Sequence, residues 1–124
     1  GLVLGECLQK ALGERKGIKR YGNFTVPMDD ALASVYLDLS NRPFLAVKMP
    51  PGNWPNTGFD VTMLNEFFRA FSNKGGFNLH IIVHYGDNFH HIAEAVFKAF
   101  GRALCEAVTI DPRRQGVPST KGVL

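Results

Sequence analysis

Two adjacent histidines open the last predicted helix of this 124-residue chain, within the segment GDNFHHIAEAVFKAFG. At roughly 100° per helical residue, His90, His91 and Glu94 fall on one polar arc, which Lys98 and Arg102 share. The arc spans roughly 120° and lies opposite an apolar face. Imidazole and carboxylate groups on one helical face can bind a divalent transition metal such as manganese, iron, nickel or zinc.

The adjacency of the two histidines restricts this metal chemistry. His90 and His91 diverge by roughly 100° around the helix axis, so they are better placed to serve two metal ions than one. A solvated polar face at a helix start is the competing interpretation, because local spacing alone rarely makes a site. The pattern by itself leaves both interpretations open.

The C-terminal segment PSTKGVL has groups that can hold a phosphate. Ser119 and Thr120 offer hydroxyls, Lys121 offers an ammonium group, and the backbone offers amides. The segment lacks the full Walker signature, and polar terminal segments are often disordered. An anion-binding tail and a disordered tail are therefore both compatible with these residues.

Composition indicates one ordinary globular domain. The chain is 45% hydrophobic, and its 14 basic and 11 acidic residues give a formal charge of +3. This mild, scattered excess favours anionic partners and falls short of a nucleic-acid-binding footprint. No apolar run reaches the roughly 18–20 residues that span a membrane, and no signal-peptide pattern is present. Cys7 and Cys105 have no spacing that predicts a disulfide or a zinc site.

Hydrophobic periodicity predicts a helix at the start of the chain, where Leu4, Leu8 and Leu12 recur at helical spacing. Residues 21–28 and 34–39 are predicted strands around a turn at residues 27–30, and a third strand is predicted at residues 44–49. Three prolines and two glycines in residues 50–58 predict a loop.

A second helix is predicted from Asp60, the candidate N-cap, to the glycines at 75–76, with an apolar stripe through Leu64, Phe68 and Phe71. Residues 77–85 alternate as a strand, and His80 and His84 are interpreted as sheet residues rather than metal ligands.

The last helix is predicted at residues 89–108, and residues from 111 onward form a tail without secondary structure. The element order predicts an α+β fold, a mostly antiparallel sheet with helices packed on one face.

Six separated segments together resemble the imidazoleglycerol-phosphate dehydratase family. They are RYGNFTVPMDDALA, LDLSNRPFL, GFDVTMLNEFF, LHI, HHIAEAVFKAFGRAL and DPRRQGVPSTKGVL, and the resemblance extends over essentially the whole chain. Agreement across separated segments in one order is far more specific than any single motif.

The resemblance implies the second of two similar half-domains, each with helices packed on a sheet, similar to the second domain of ribosomal protein S5. On that basis we expect residues 1–13 to be the last helix of a missing first half-domain, residues 14–110 the second half-domain, and residues 111–124 a substrate-binding tail. The family's first metal-binding motif and its general base would then lie outside this chain, which contains no catalytic residue of its own.

The resemblance also implies metal ligands. His90, His91 and Glu94 match the family's second metal-binding motif, and two manganese ions are expected per active site. Glu66 stands where the family often has a histidine and sometimes a glutamate as a further ligand. It is therefore the one implied ligand that departs from the family's more common residue.

Substrate contacts follow from the same resemblance. Residues that match positions contacting the phosphorylated imidazole substrate are Arg20, Arg42, His90, Lys98, Ser119, Thr120 and Lys121. The implied reaction is the dehydration of imidazole glycerol phosphate to imidazole acetol phosphate in histidine biosynthesis. The implied assembly is a homo-oligomer of about 24 subunits with metal sites between subunits.

We expect a cytoplasmic protein, or a plastid protein if the source is a plant, with neither nucleic acid nor membrane as a partner. Two other interpretations remain: an inactive metal-binding fragment, because the first metal-binding motif is absent, and a structural half-domain whose polar helix face lines an assembly contact.

Overall fold

The computed structural model describes residues 1–52, 61–122 and 124. Within these ranges the elements are α1 (Leu2–Leu12), β1 (Tyr21–Met28), β2 (Ala31–Asp38), β3 (Phe44–Lys48), α2 (Val61–Gly75), β4 (Asn78–Tyr85) and α3 (Phe89–Val108). The predicted element order is confirmed. The predicted N-cap Asp60 and most of the predicted loop lie outside the described residues. None of the helices described here is long and apolar enough to cross a membrane.

The four strands form one mixed sheet in the order β1-β2-β4-β3. β1 pairs with β2, and β2 with β4, in antiparallel orientation, whereas β3 runs parallel to β4. The parallel pair arises because the connection from β3 to β4 passes through α2, and such crossovers join parallel strands. The predicted α+β fold is confirmed, with the parallel edge pair making the sheet mixed.

The hairpin between β1 and β2 is tighter than predicted. β2 begins at Ala31 instead of residue 34, because Met28 already pairs with Ala31 and the turn needs only Asp29 and Asp30. Asp29 takes a left-handed φ of 46°, which aspartate tolerates better than most residues. The alanines at the start of β2 are buried core residues, although they carry little strand propensity.

The helices cover one face of the sheet. α3 packs on β1 and β2, and α2 packs on β3. Alternate residues of β2 and β4 are buried, including Val35, Leu79 and Ile81, as expected for a sheet with one covered face. α3 approaches β1 very closely at Gly22, where an added Cβ would lie 1.9 Å from the carbonyl oxygen of Ala103.

An aromatic cluster joins α2 to α3. Phe68 is fully buried, and its ring centroid lies 5.2 Å from that of Phe100. Phe71 contacts Phe77 edge-on and also packs on Phe100. The predicted apolar stripes of the two helices therefore meet at the core, which fixes the direction in which the polar face of α3 points.

α1 approaches α2 closely at its N-cap Gly1 and at Gly5. Gly5 is buried, and a Cβ there would lie 2.5 Å from the Cβ of Lys74. The predicted apolar stripe of α1 is only partly covered, since Leu8 and Leu12 are half-buried and Leu4 is exposed. The close backbone approach thus brings the edge of α1 that carries Gly5 against α2, and Leu8 lies near Gly75 at the end of α2.

Candidate functional site

The start of α3 is fastened to the β1–β2 turn. The side chain of Asn88 caps the helix by accepting a hydrogen bond from the backbone N–H of His90 at 2.9 Å. The carboxylate of Asp30 accepts from the backbone N–H groups of Asp87 and Asn88 at 2.6 and 2.9 Å. A polar turn and a capped helix end therefore hold the two histidines in place.

Asp30 also orients His91. Its carboxylate lies 2.5 Å from Nδ1 of His91, while Nε2 of the same ring is 3.5 Å from the carboxylate of Asp29. The hydrogen bond to the Asp30 carboxylate raises the pKa of His91, and the same bond, with the two backbone amides, holds the pKa of Asp30 well below its usual value. A carboxylate that fixes one ring nitrogen is the usual support of a metal-binding histidine.

Glu94 is shared between a histidine and a lysine. Its carboxylate accepts from Nζ of Lys98 at 2.8 Å and lies 3.6 Å from Nε2 of His90. The hydrogen bond from Lys98 lowers the pKa of Glu94. His90 is 75% exposed at the side chain, so the predicted polar face of α3 is open on its outer side.

The predicted metal ligands do not form a complete site among the described residues of this chain. Among the described residues, no group of three or more His, Cys, Asp or Glu side chains is arranged to hold a metal ion. Glu66 is exposed and forms an ion pair with Arg69 on its own helix at 3.6 Å. The donor types still suit a transition metal, and His91 is oriented as a ligand would be, so this chain offers a partial donor set.

A basic basin of about 890 Å³ lies at another part of the molecule, between the start of β1, the turn after β2 and the C-terminal tail. Its lining includes five cationic side chains and the tail's hydroxyls and backbone. The polar and charged lining includes Arg20, Ser40, Asn41, Arg42, Arg113, Arg114, Ser119, Thr120 and Lys121. The structure therefore brings together five of the predicted substrate-contacting residues.

Arg20 is the most firmly held cation of the basin. Its guanidinium donates to both carboxylate oxygens of Asp38, at 2.7 and 3.1 Å, and to the carbonyl of Pro118 at 2.8 Å. The hydrogen bond with Asp38 raises the pKa of Arg20. Because a guanidinium has five N–H groups, two remain for a ligand. Arg20 thus anchors the tail in addition to its predicted contact with substrate.

Sequence reasoning missed Arg15 and Gln9, which hold the turn after β2 that lines the basin. Arg15 is buried and donates to the carbonyls of Leu39, Gly75 and Gly76 and to the side chain of Gln9. Gln9 in turn donates to the side chain of Asn41 at 3.2 Å. Arg15 carries no motif and has a left-handed φ of 56°, so nothing in its local sequence indicated this role.

The described residues of the tail, 111–122 and 124, form no regular helix or strand, as predicted, and several hydrogen bonds hold the tail to the rest of the protein. The N–H of Gly17 donates to the carbonyl of Gly116, and the N–H of Asp111 donates to the carbonyl of Gly17, both at 2.8 Å. Hydrogen bonds from Arg113 lower the pKa of Asp111 to about 2. These contacts place Ser119 and Lys121 at the mouth of the basin.

The histidine pair and the basin lie at opposite ends of α3. His90 is in the first turn of α3, whereas the N–H of Arg20 donates to the carbonyl of Ala107, near the last turn, at 2.9 Å. The helix between His90 and Ala107 is about 25 Å long at ~1.5 Å per residue. β1 spans about the same distance at ~3.3 Å per residue. A small molecule cannot contact both regions of one chain.

Fold and site together define a two-layer α+β protein with a basic basin and, apart from it, a pair of adjacent histidines beside carboxylates. The chain belongs to the imidazoleglycerol-phosphate dehydratase family, whose sequence profile matches residues 1–104. An imidazoleglycerol-phosphate dehydratase of Geobacillus kaustophilus is 56% identical over 127 residues, and one of Bacillus subtilis is 56% identical over 125. Each alignment covers 100% of this chain, including the tail beyond the profile match, and 64% of the relative.

Two solved structures of the same family have this fold. The dehydratase of Pyrococcus furiosus superposes with a TM-score of 0.87 at 41% identity, covering 99% of this chain and 66% of that one. The dehydratase of Staphylococcus aureus gives a TM-score of 0.82 at 38% identity, covering 89% and 65%. The chain thus spans about 64% of the length of the curated relatives that it matches.

Proposed function

We propose that this chain supplies part of the active site of a hydro-lyase that converts imidazole glycerol phosphate to imidazole acetol phosphate and water in histidine biosynthesis. The observation that carries the proposal is the basic basin, in which residues predicted to contact a phosphorylated substrate lie together. Family membership supplies the reaction, and the basin supplies a physical reason for a phosphorylated substrate.

The basin is suited to the phosphate end of that substrate. Arg42 and Lys121 are exposed cations on its wall, and the hydroxyls of Ser119 and Thr120 stand beside them. Charge-assisted hydrogen bonds from such groups are about twice as strong as neutral ones. Holding the phosphate fixes the orientation of the rest of the substrate relative to the reacting carbons.

The polar face of α3 is suited to the imidazole end. His90, His91 and Glu94 are proposed to hold manganese, with Glu66 as a further ligand and Lys98 beside them for the substrate. A bound metal at this position would supply Lewis-acid stabilisation of the imidazole ring while the hydroxyl leaves. The chain's own part is to fix His91 through Asp30 and to keep Glu94 ionised through Lys98.

Separation of the two regions leads to a proposal about assembly. Because the basin and the histidine pair of one chain are about 25 Å apart, one substrate molecule must use the basin of one copy and the histidines of another. We therefore propose a homo-oligomer, of about 24 subunits as the family resemblance implies, with each active site shared between copies.

The proposal is tested by turnover. The chain would be assayed with imidazole glycerol phosphate and manganese, alone and mixed with a separately produced segment of the Geobacillus kaustophilus relative that this chain does not cover. We expect activity only in the mixture, because the chain's described metal donors do not form a complete site. A Lys121→Met chain in the same mixture should lose most of that activity.

An inactive or structural fragment predicts a different pattern. No turnover in either assay, together with no manganese retained in equilibrium dialysis, would leave a structural half-domain as the better account. Manganese retained without turnover in the mixture would favour an inactive metal-binding fragment. Such a fragment would bind the metal through the incomplete set of donors that this chain offers.

A further inference from the structure

Ser40 carries a buried hydroxyl without a hydrogen-bond partner at the edge of the basic basin. The residue is 3% exposed, and its Oγ has no partner among the residues that the structure describes. It belongs to the basin lining, immediately before Asn41 and Arg42 on the same turn. A buried hydroxyl without a partner destabilises a fold, so each such group requires a reason.

Hydrogen bonds hold the chain on both sides of Ser40. On one side of Ser40, Leu39 is held at both ends, because its N–H donates to the carbonyl of Arg20 at 3.1 Å and its own carbonyl accepts from Arg15 at 2.9 Å. On the other side, Asn41 is held by Gln9. The N–H of Ser40 itself donates to the carbonyl of Asp38 at 2.8 Å. These bonds fix the backbone of the turn, and rotation about χ1 is the motion left to Ser40 that can turn its hydroxyl toward an acceptor in the basin.

We propose that Ser40 is a further anion-binding residue, whose hydroxyl donates a hydrogen bond to a phosphate oxygen seated in the basin. The inference rests on the proposed function, since it assigns one more donor to the same phosphate. Phosphate oxygens accept several hydrogen bonds, and the hydroxyl of Ser40, two residues before Arg42 in the same lining, adds a neutral donor to the cations of the basin.

The backbone that carries this donor is held in place before the ligand binds. The free energy that the unpaired hydroxyl costs in the free protein is recovered when the ligand arrives. Ser40 should therefore oppose stability in the free protein and support affinity in the complex, which is the reverse of what a structural serine does.

Binding of inorganic phosphate to the full chain, measured by titration calorimetry, separates these roles. Ser40→Ala should weaken phosphate binding about ten-fold, as expected for the loss of one hydrogen bond to a charged group. The melting temperature of the ligand-free Ser40→Ala chain should equal or exceed that of the wild type. Ser40→Cys, which keeps the side chain's shape but is a weak donor, should weaken binding as well.

Ser72 provides a matched control. It is fully buried like Ser40, but its hydroxyl donates to the carbonyl of Phe77 at 2.6 Å, away from the basin. Ser72→Ala should lower the melting temperature and leave phosphate affinity unchanged.

Three outcomes would overturn the assignment, and they differ in what else they affect. If Ser40→Ala binds phosphate as tightly as the wild type while Lys121→Met binds it more weakly, the role of Ser40 is refuted and the basin remains the phosphate site. A lower melting temperature in Ser40→Ala without loss of affinity shows a structural serine. Failure of the wild-type chain to bind phosphate at all refutes both this inference and the phosphate part of the proposed function.

Discussion

At the scale of single residues, the most unusual group is the buried guanidinium of Arg15. It is 3% exposed and donates four hydrogen bonds, three of them to backbone carbonyls. Burial lowers the pKa of Arg15, and the charge of Asp38 partly opposes that shift. Arg15 thus links the end of α2 to the residue after β2, because its guanidinium donates to the carbonyls of Gly75, Gly76 and Leu39.

Replacing Arg15 with methionine should destabilise the protein strongly. The substitution keeps much of the side chain's length but leaves the carbonyls of Leu39, Gly75 and Gly76 without their donor. We expect a loss of about 3 kcal/mol in the free energy of unfolding, measured by urea denaturation. Lys10→Met, an exposed change on α1, should stay within about 0.5 kcal/mol. Equal effects of the two variants would show that the carbonyl contacts contribute little.

Asp111 makes the stability of the folded protein depend on pH in the acid range. Its pKa of about 2 is below the value near 3.9 of an unfolded aspartate, so its ionised form favours the folded state. This contribution is fully present above pH ~4 and is lost as the pH falls toward 2. The gap in stability between the wild type and Asp111→Asn should therefore shrink from pH 5 to pH 2 in urea melts. A constant gap over that range would contradict the assignment.

The sequence could predict the residues with the most distinctive chemistry and could not predict their partners. His90, His91 and Glu94 were identified from spacing on one helix. Asp30, which orients His91, lies 61 positions away, and its contact depends on the hairpin turn meeting the helix. Asp38, Ser40 and Arg15 were missed for the same reason, because each acts through contacts between distant segments.

At the scale of elements, the contact between α3 and β1 is the most sensitive to side-chain volume. Gly22→Ala should destabilise the fold by about 3 kcal/mol or more, since the new Cβ would lie 1.9 Å from the carbonyl of Ala103 and backbone must move. Gly101→Ala, on α3, is the matched control. Its Cβ meets nothing within 4 Å, and it should stabilise the helix by about 1 kcal/mol.

Thermal unfolding of the two alanine variants tests that contact directly. Gly22→Ala should lower the melting temperature, whereas Gly101→Ala should raise it. If Gly22→Ala melts with the wild type, α3 does not sit on β1 as closely as described.

Periodicity predicted the elements better than their pairing. The helical stripes through Phe68 and Phe100 and the alternation of β4 follow from the burial of one face, which local sequence records. The early start of β2 at Ala31 was missed because small residues give a weak strand signal. The parallel position of β3 was missed because it depends on the course of the chain through α2 rather than on any residue in the strand.

At the scale of the whole molecule, α3 acts as a spacer. Its first turn carries the histidine pair and its last turns lie against the backbone of Arg20 at the basin. One rigid helix therefore sets the distance between the two chemical regions of each copy. In an oligomer, that distance determines which copies must meet to complete a site.

Sharing of sites between copies predicts complementation between two inactive variants. Lys121→Met disables the basin and His91→Ala disables the histidine pair, so each should be inactive alone in the turnover assay with the added segment of the relative. In a mixed oligomer made by refolding the two variants together, some sites combine an intact basin with an intact histidine pair. At equal amounts and random assembly, about one quarter of the sites should be intact.

Activity near that fraction, in a mixture whose separate components are inactive, would be difficult to explain if each site belonged to a single chain. A single-chain site predicts no recovery at any ratio, because every copy then carries one defect. Two basin variants, Lys121→Met with Arg42→Met, serve as the control. Their defects lie in the same region, so each basin stays damaged whichever copies meet, and their mixture should show no recovery under either arrangement.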